Sequence, residues 1–338
     1  MPTPQTPLTG NPFDAASTAE DVAEGIDLTG RTAIVTGGHS GIGLETTRVL
    51  SLAGAEVVVP VRFPERAAVA LRGVPRVRIE RLDLADPASV DAFAGAFLGL
   101  GRPLHILVNS AGIMGIPLSR DARGHELHFA TNHLGHYQLT ARLWPALVRA
   151  GGARVVAVSA AAHRYSPVDF ADPHFERREY QPMLGYGQSK TANILFARRL
   201  DELGTDDGVR AFSVHPGSIL GTNLSGFATP ESLRGLGLID DEGNPVIDPY
   251  AGKKNVEQGA STTVWCAVSP RLDGMGGVYC LDNDIAPVAA PSEHDPRQHG
   301  ARPVPPTGVS PHAVDPEAAI RLWHLSRDLT GTDTARLQ

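Results

Sequence analysis

Cysteine is almost missing from this chain. Its two, Cys266 and Cys280, have neither CxxC spacing nor accompanying histidines. That sets aside a disulfide framework and a cysteine metal site, and the pair reads as small buried hydrophobes in a reducing compartment. A block of basic residues is missing too. With a net charge of −7, nothing favours nucleic acid or an anionic membrane surface as a partner. No apolar run approaches the roughly 18 residues of a membrane span. The N-terminus, MPTPQTPLTGNPFDAAS, lacks the charged segment and apolar run of a secretory leader. The expectation is a cytoplasmic protein without nucleic-acid or membrane partners.

What the chain has instead is alternation. Strand-like runs at TAIVT (32–36), EVVVPV (56–61), RVRIERL (76–82), HILVN (105–109), RVVAVS (154–159), RAFSV (210–214) and GVYCL (277–281) are separated mostly by helical patterns. Those patterns fall at 42–52, 65–71, PASVDAFAGAFL (87–98), 124–149 and from 187 onward. Strands alternating with helices imply right-handed crossovers between parallel strands. The fold class is therefore α/β, a Rossmann-type doubly wound sheet of about seven strands with helices on both faces. Residues 28–285 form this single domain, and 219–255, rich in Gly, Asp and Pro, reads as a lid. Residues 1–27 are an arm whose STAEDVAEGI (17–26) makes a short helix, capped by Ser17 or Thr18 and stopped by Gly25. Residues 286–338 form a Pro-rich extension ending in a helix capped by Asp315, with Pro316 in its first turn and Gly331 past its end.

TGGHSGIG (36–43) lies between the first strand and first helix. Gly37, Gly41 and Gly43 permit a tight turn, and the helix N-terminus offers free amides to a pyrophosphate. The second strand ends in VRFPER, placing Arg62 where a side chain reaches an adenosine ribose, with no acid between Glu56 and Arg62. An arginine there suits a 2′-phosphate, so NADP(H) is favoured over NAD(H), against the plainer reading of a solvated arginine. In GYGQSKTANILFARRL (185–200), Tyr186 and Lys190 are four apart and share a helix face. A nearby ammonium lowers a phenol's pKa toward the range of acid–base catalysis.

Taken in order, STAEDVAEGIDLTGRTAIVTGGHSGIG, RLDLADPASV, LVNSAG, FATNHLGHYQLT, YGQSKTAN and HPG resemble the short-chain dehydrogenase/reductase family, in its retinol-dehydrogenase-like and WW-domain-oxidoreductase-like branch. The resemblance spans about 17–220 and implies roles by position. Gly37, Gly41 and Gly43 would form the pyrophosphate loop, with Ser40 and Ile42 as backbone donors. Arg62 would hold the 2′-phosphate, and Asp83 and Leu84 would contact the adenine. Asn109, Ala111 and Gly112 would lie against the adenosine ribose, with Ser110 in place of the family's second asparagine. Asn132 would order a water in the proton relay, and Pro216 and Gly217 would close over the nicotinamide. Thr222 falls one residue beyond the family's carboxamide contact. Members commonly assemble through the helices that here contain 124–149 and 186–201, so a homo-oligomer is implied as a possibility.

The strand end RVVAVSAAAH (154–163) is where the sequence departs from the family pattern. Aligned with the family's VSSxAH, Ser159 takes the first serine and Ala160 the catalytic one. Adjacent strand residues face opposite sides, so Ser159 cannot substitute without a slip of register. Losing such a donor removes roughly a hundred- to a thousand-fold in rate. The leading reading is an NADP(H)-dependent oxidoreductase interconverting a carbonyl and an alcohol, with Tyr186 as acid/base and Lys190 beside it. The alternatives are a slow or otherwise assisted enzyme, an NADP-binding or redox-sensing protein without turnover, an isomerase or dehydratase, or a position changed from a natural serine. The lid's Ile219, Leu220, Leu224, Phe227, Leu233, Leu236 and Leu238 favour a lipophilic small-molecule substrate. His163 and Tyr165 read as surface-loop residues within reach of it. The histidines of 125–136 lack metal spacing, and no metal is assigned.

Overall fold

A computed structural model of the chain describes residues 3–220, 229–290 and 308–332. Seven strands lie parallel: β1 (Thr32–Thr36), β2 (Glu56–Val61), β3 (Val77–Arg81), β4 (Ile106–Asn109), β5 (Ala153–Val158), β6 (Val209–His215) and β9 (Val278–Leu281). An eighth, β10 (Asp284–Ile285), runs antiparallel to β9, giving the order β10-β9-β6-β5-β4-β1-β2-β3. β1 and β4 are buried along their whole length, and β6 at every residue but Arg210, which is why they read as apolar runs rather than alternating ones. Strand order reverses between β1 and β4, and a crevice opens beyond the carboxyl ends of strands at such a point. Pairing of Thr36 with Asn109 sets the glycine loop beside the Asn-Ser-Ala-Gly loop at that crevice.

Helices cover both faces. On one, α4 (Pro87–Gly99), α5 (Gly135–Arg149) and α6 (Pro182–Gly204) bury Phe93, Leu139, Leu143, Leu195 and Leu200 against Leu107, Val155 and Ala211. On the other, α2 (Gly41–Leu52) and α8 (Val256–Val268) bury Val49, Leu50, Val264 and Trp265 against Val35, Val108 and Phe212. The short α1 (Ala19–Ala23) packs on that second layer through Ala19 and Val22, held by a capping box between Thr18 and Asp21. α3 (Pro64–Ala70) follows β2.

The terminal helix α9 (Pro316–Thr330) starts as its sequence predicts, with Asp315 accepting from Glu317 N at 2.8 Å, and ends at Gly331 in the left-handed region. It lies on α5 and α6. Trp323 stacks on Phe196 at 6.1 Å and meets Tyr137 edge-on at 5.0 Å, and Ser326 lies 2.7 Å from His133 Nε2.

Several local expectations need correction. The pattern across 124–149 is helical only from 127, and a π-helical stretch, Phe129–Leu134, precedes α5. Tyr186 sits within α6, which begins at Pro182 and not near 187. Within 219–255 the described residues contain α7 (Pro230–Gly235) and a two-strand ladder, β7 (Ser218–Ile219) with β8 (Lys253–Lys254), which closes the lid at its base. α8 and β10 have no counterpart in the sequence reading. Thr222, Leu224 and Phe227 lie outside the described residues.

Candidate active site

The glycine loop is shaped by close approach. Gly37 and Gly41 have φ of +69° and +50°, and a β-carbon at Gly43 would lie 2.4 Å from the Gly37 carbonyl oxygen. Ser40 caps α2 by position but makes no side-chain cap bond, so its hydroxyl does not take up the free amides of the first turn, which includes Ile42 and Gly43. The cradle fits a pyrophosphate in shape and in donors. At its far side Arg62 is exposed just beyond β2. Its guanidinium lies 5.8 Å from the Phe63 ring, and that of Arg66 lies 5.1 Å from it. The His39 imidazole is held below its ordinary pKa by burial and then by the charge of Arg62. Asp83 turns its carboxylate back onto Ala85 N at 3.0 Å, and Leu84 is buried.

The next loop is pinned from below. Thr36 Oγ1 accepts from Ser110 N at 2.9 Å and Ala111 N at 3.0 Å. Asn109 directs its amide away from the crevice, donating to Thr140 Oγ1 at 3.2 Å. Gly112 is where α6 comes close: a β-carbon there would lie 3.2 Å from Asn132 Oδ1 and 3.6 Å from Lys190 Nζ.

Asn132 is buried, and both of its amide protons are committed. Oδ1 accepts from Ile113 N at 2.8 Å, and Nδ2 donates to Ile113 O at 3.0 Å and to Ser189 Oγ at 2.9 Å. It therefore ties the π-helical stretch, the loop after β4 and α6 together. Tyr186 and Lys190 stand one turn apart on α6, both nearly inaccessible. Lys190 Nζ donates to Val158 O at 3.0 Å and lies 5.5 Å from the Tyr186 ring centroid. Burial alone lowers the Lys190 ammonium to about 8 and pushes the Tyr186 phenol well above its ordinary value. The lowered phenol pKa anticipated from the lysine is thus not found: the ammonium is engaged by a carbonyl, and burial dominates.

Beyond β5, Ser159 N continues the ladder to Val214 O at 2.7 Å, and its hydroxyl donates to Lys190 O at 2.8 Å. Ala160 follows in extended conformation (φ −161°, ψ 165°), half-buried, and opens the 3-10 turn Ala161–Tyr165. His163 in that turn is completely buried, contrary to a surface-loop reading. Its Nε2 accepts from Ser310 N at 3.1 Å, its Nδ1 lies 2.8 Å from Ala160 O, and its ring packs 5.2 Å from Tyr279. The C-terminal extension covers it, while Tyr165 stays exposed. After β6, Gly217 has φ +92°, and a β-carbon there would lie 3.0 Å from Lys254 Cδ, so Pro216 and Gly217 rest against the lid base.

Sequence reasoning missed two anchors of this site. Glu126 is fully buried and accepts from His128 N at 3.0 Å and Phe129 N at 2.7 Å, with His128 Nδ1 at 2.8 Å and the Tyr180 hydroxyl at 3.2 Å. Burial alone would raise its carboxyl, but the His128 side chain and these amides hold it below the ordinary range. Glu126 so caps the stretch that carries Asn132, and His128 lies edge-on to Tyr186 at 6.0 Å. The other anchor is His136, bonded to both Thr36 and Asn132. Only the unusual sight of a carboxylate and imidazoles in an apolar helical run signalled either. Among the described residues no group of three or more His, Cys, Asp or Glu side chains is arranged to hold a metal ion. No helix there is long and apolar enough to cross a membrane.

Residues 31–232 match the short chain dehydrogenase family. A probable oxidoreductase of Streptomyces lividans is 46% identical over 312 residues, covering 90% of this chain and 98% of that protein. Human WW domain-containing oxidoreductase is 34% identical over 339 residues, covering 96% of this chain and 74% of that one. Human retinol dehydrogenase 12 is 35% identical over 312 residues, covering 90% and 88%.

Proposed function

The chain belongs to the short-chain dehydrogenase family, and on that premise we propose that it is an NADP(H)-dependent enzyme interconverting a carbonyl and an alcohol on a lipophilic small molecule. The observation that carries this reading is the pair on α6: Tyr186 and Lys190, buried one turn apart, with Lys190 bonded to the Val158 carbonyl and close to Gly112, where Asn132 also approaches. Gly37, Gly41, Gly43 and the first turn of α2 would hold the pyrophosphate, Arg62 the 2′-phosphate and Gly112 the close approach to the ribose. Bound there, the dinucleotide supplies or accepts the hydride. Tyr186 holds its proton at neutral pH, the state in which it can donate to a carbonyl oxygen during reduction. Lys190 fixes the floor of the site through the Val158 carbonyl, and Asn132 fixes the loop that faces it.

The lipophilic substrate class is supported by the lid. A cavity of about 220 Å³ at the lid is lined by Leu220, Leu238, Val246, Ile247 and Val256 together with the polar Ser218, Lys254, Asn255 and Glu257. Tyr186, Lys190 and Ala160 are not in that lining, and the support is the lid's own apolar side chains.

A second reading, a dinucleotide-binding protein without turnover, is favoured by one observation. The only hydroxyl at the end of β5 is turned into α6, and the following residue offers a methyl group. Binding and consumption of NADPH and NADH separate these readings. NADPH is expected to bind at least about tenfold tighter than NADH, with Arg62→Ala narrowing the gap. Equal binding of the two contradicts the NADP preference. Tight binding with no consumption across lipophilic aldehydes and ketones supports the second reading.

A further inference from the structure

We infer that His136 is a positioning residue of this site, a single imidazole in its Nδ1–H form that locks the dinucleotide loop to the carbonyl of Asn132. The inference rests on the reading above for its functional meaning, but its geometry follows from hydrogen-bond accounting alone. Thr36 Oγ1 receives the amides of Ser110 and Ala111 at 2.9 and 3.0 Å. A hydroxyl has two lone pairs and one proton, so both acceptor sites are filled and the hydroxyl must donate. Its candidates are His136 Nε2 at 2.8 Å and Val108 O at 3.3 Å, and the shorter contact takes the proton. Nε2 is then an acceptor, the proton of the ring sits on Nδ1, and Nδ1 donates to Asn132 O at 2.9 Å.

The surroundings agree. His136 is 2% exposed. Burial above all, and then the charge of Lys190 on α6, disfavour a second proton on the ring against the pull of the Asn132 carbonyl, and His136 in turn lowers His133 on the π-helical stretch. The groups it bonds on β1 and on the π-helical stretch are neutral.

The ring therefore spans three pieces of the site. Through Thr36 it reaches the residue that opens the Gly37 turn and the loop holding Ala111 and Gly112. Through Asn132 O it holds the backbone whose side chain clamps Ile113 and Ser189. Because the linkage uses both ring nitrogens in fixed senses, an aromatic ring without nitrogens fills the space but cannot transmit the position.

The test combines a measurement on the unaltered protein with two variants. Nitrogen-15 NMR of the histidine-labelled protein, with His136 assigned by its loss in His136→Gln, is expected to show a protonated Nδ1 and a bare Nε2 at neutral pH. A protonated Nε2 overturns the inference. His136→Phe is expected to bind NADPH about tenfold more weakly, and Thr36→Ser, which keeps the hydroxyl, to bind it as the unaltered protein does. A purely structural histidine would lower Tm in His136→Phe and leave the NADPH Kd within twofold, and that result also overturns the inference. Should His136→Phe not fold, Thr36→Val replaces it, with the same loss of affinity expected and an unchanged Kd counting against. If the unaltered protein binds no NADPH, the functional reading itself fails, an outcome distinct from unequal binding by the variants.

Discussion

The hydroxyl of Ser159 ends on the main-chain carbonyl of Lys190, 2.8 Å away. Two other groups of α6, Lys190 Nζ and Asn193 Nδ2, each reach back 3.0 Å to the carbonyl of Val158. Strand β5 and helix α6 are thus stitched at the level of the proposed chemistry, and Ser159 serves the stitching. Ser159→Ala should lower unfolding stability by about 1 kcal/mol in urea titration, the usual worth of one buried hydrogen bond. Turnover should stay within about threefold of the unaltered protein. A hundredfold fall in kcat would place the Ser159 hydroxyl in the chemistry instead.

Ala160 is the neighbour on the other side of the strand's pleat. If it occupies the position of a substrate-orienting hydroxyl, Ala160→Ser should raise kcat by up to about a hundredfold, with little change in NADPH affinity. Steady-state rates at saturating NADPH measure this. No gain would mean that another donor already serves the substrate oxygen.

Burial of neutral imidazoles gives the protein an acid-sensitive core. His136 is lowered from 6.5 to about 4 and His133 to about 3, mainly by burial. A depressed folded-state pKa means full stability above about 6.5 and progressive loss as pH falls toward 4, as the unfolded chain takes up protons that the folded one refuses. His136 alone contributes on the order of 3 kcal/mol across that window. Lys190, lowered from 10.5 to about 8, adds a second rise in stability between those values. Chemical denaturation of the cofactor-free protein at pH 4.5, 6.5, 8 and 10 should show both rises. A flat profile below pH 6.5 would contradict the buried, neutral state of these histidines.

Much of the fold was legible because its signals are local. Apolar runs such as TAIVT and HILVN appear as buried central strands, and the Asp315–Pro316 start and Gly331 stop of α9 are local chemistry. The spacing of Tyr186 and Lys190 carries within one helix. What stayed hidden depends on distant partners or on small deviations. A π-helical stretch of six residues leaves the apolar period nearly intact, so Phe129–Leu134 looked like ordinary helix. β10 has only two residues, after the left-handed Asp282 and Asn283, too short for any periodic signal. His163 looked like loop surface because the segment that buries it, at Ser310, lies 147 positions away. The lysine's effect on Tyr186 was overestimated for a related reason. Spacing gave their shared face but not the Val158 carbonyl that holds the ammonium.

In the proposed reaction Tyr186 gives its proton to a substrate carbonyl. The most direct measurement follows NADPH absorbance with a panel of lipophilic aldehydes and ketones, for the unaltered protein beside Tyr186→Phe, with NADPH binding recorded for both. Turnover by the unaltered protein is expected, with a loss of at least about a hundredfold in Tyr186→Phe and similar NADPH affinity. Equal rates in the two proteins, or tight NADPH binding with no turnover in either, would contradict the proposed reaction.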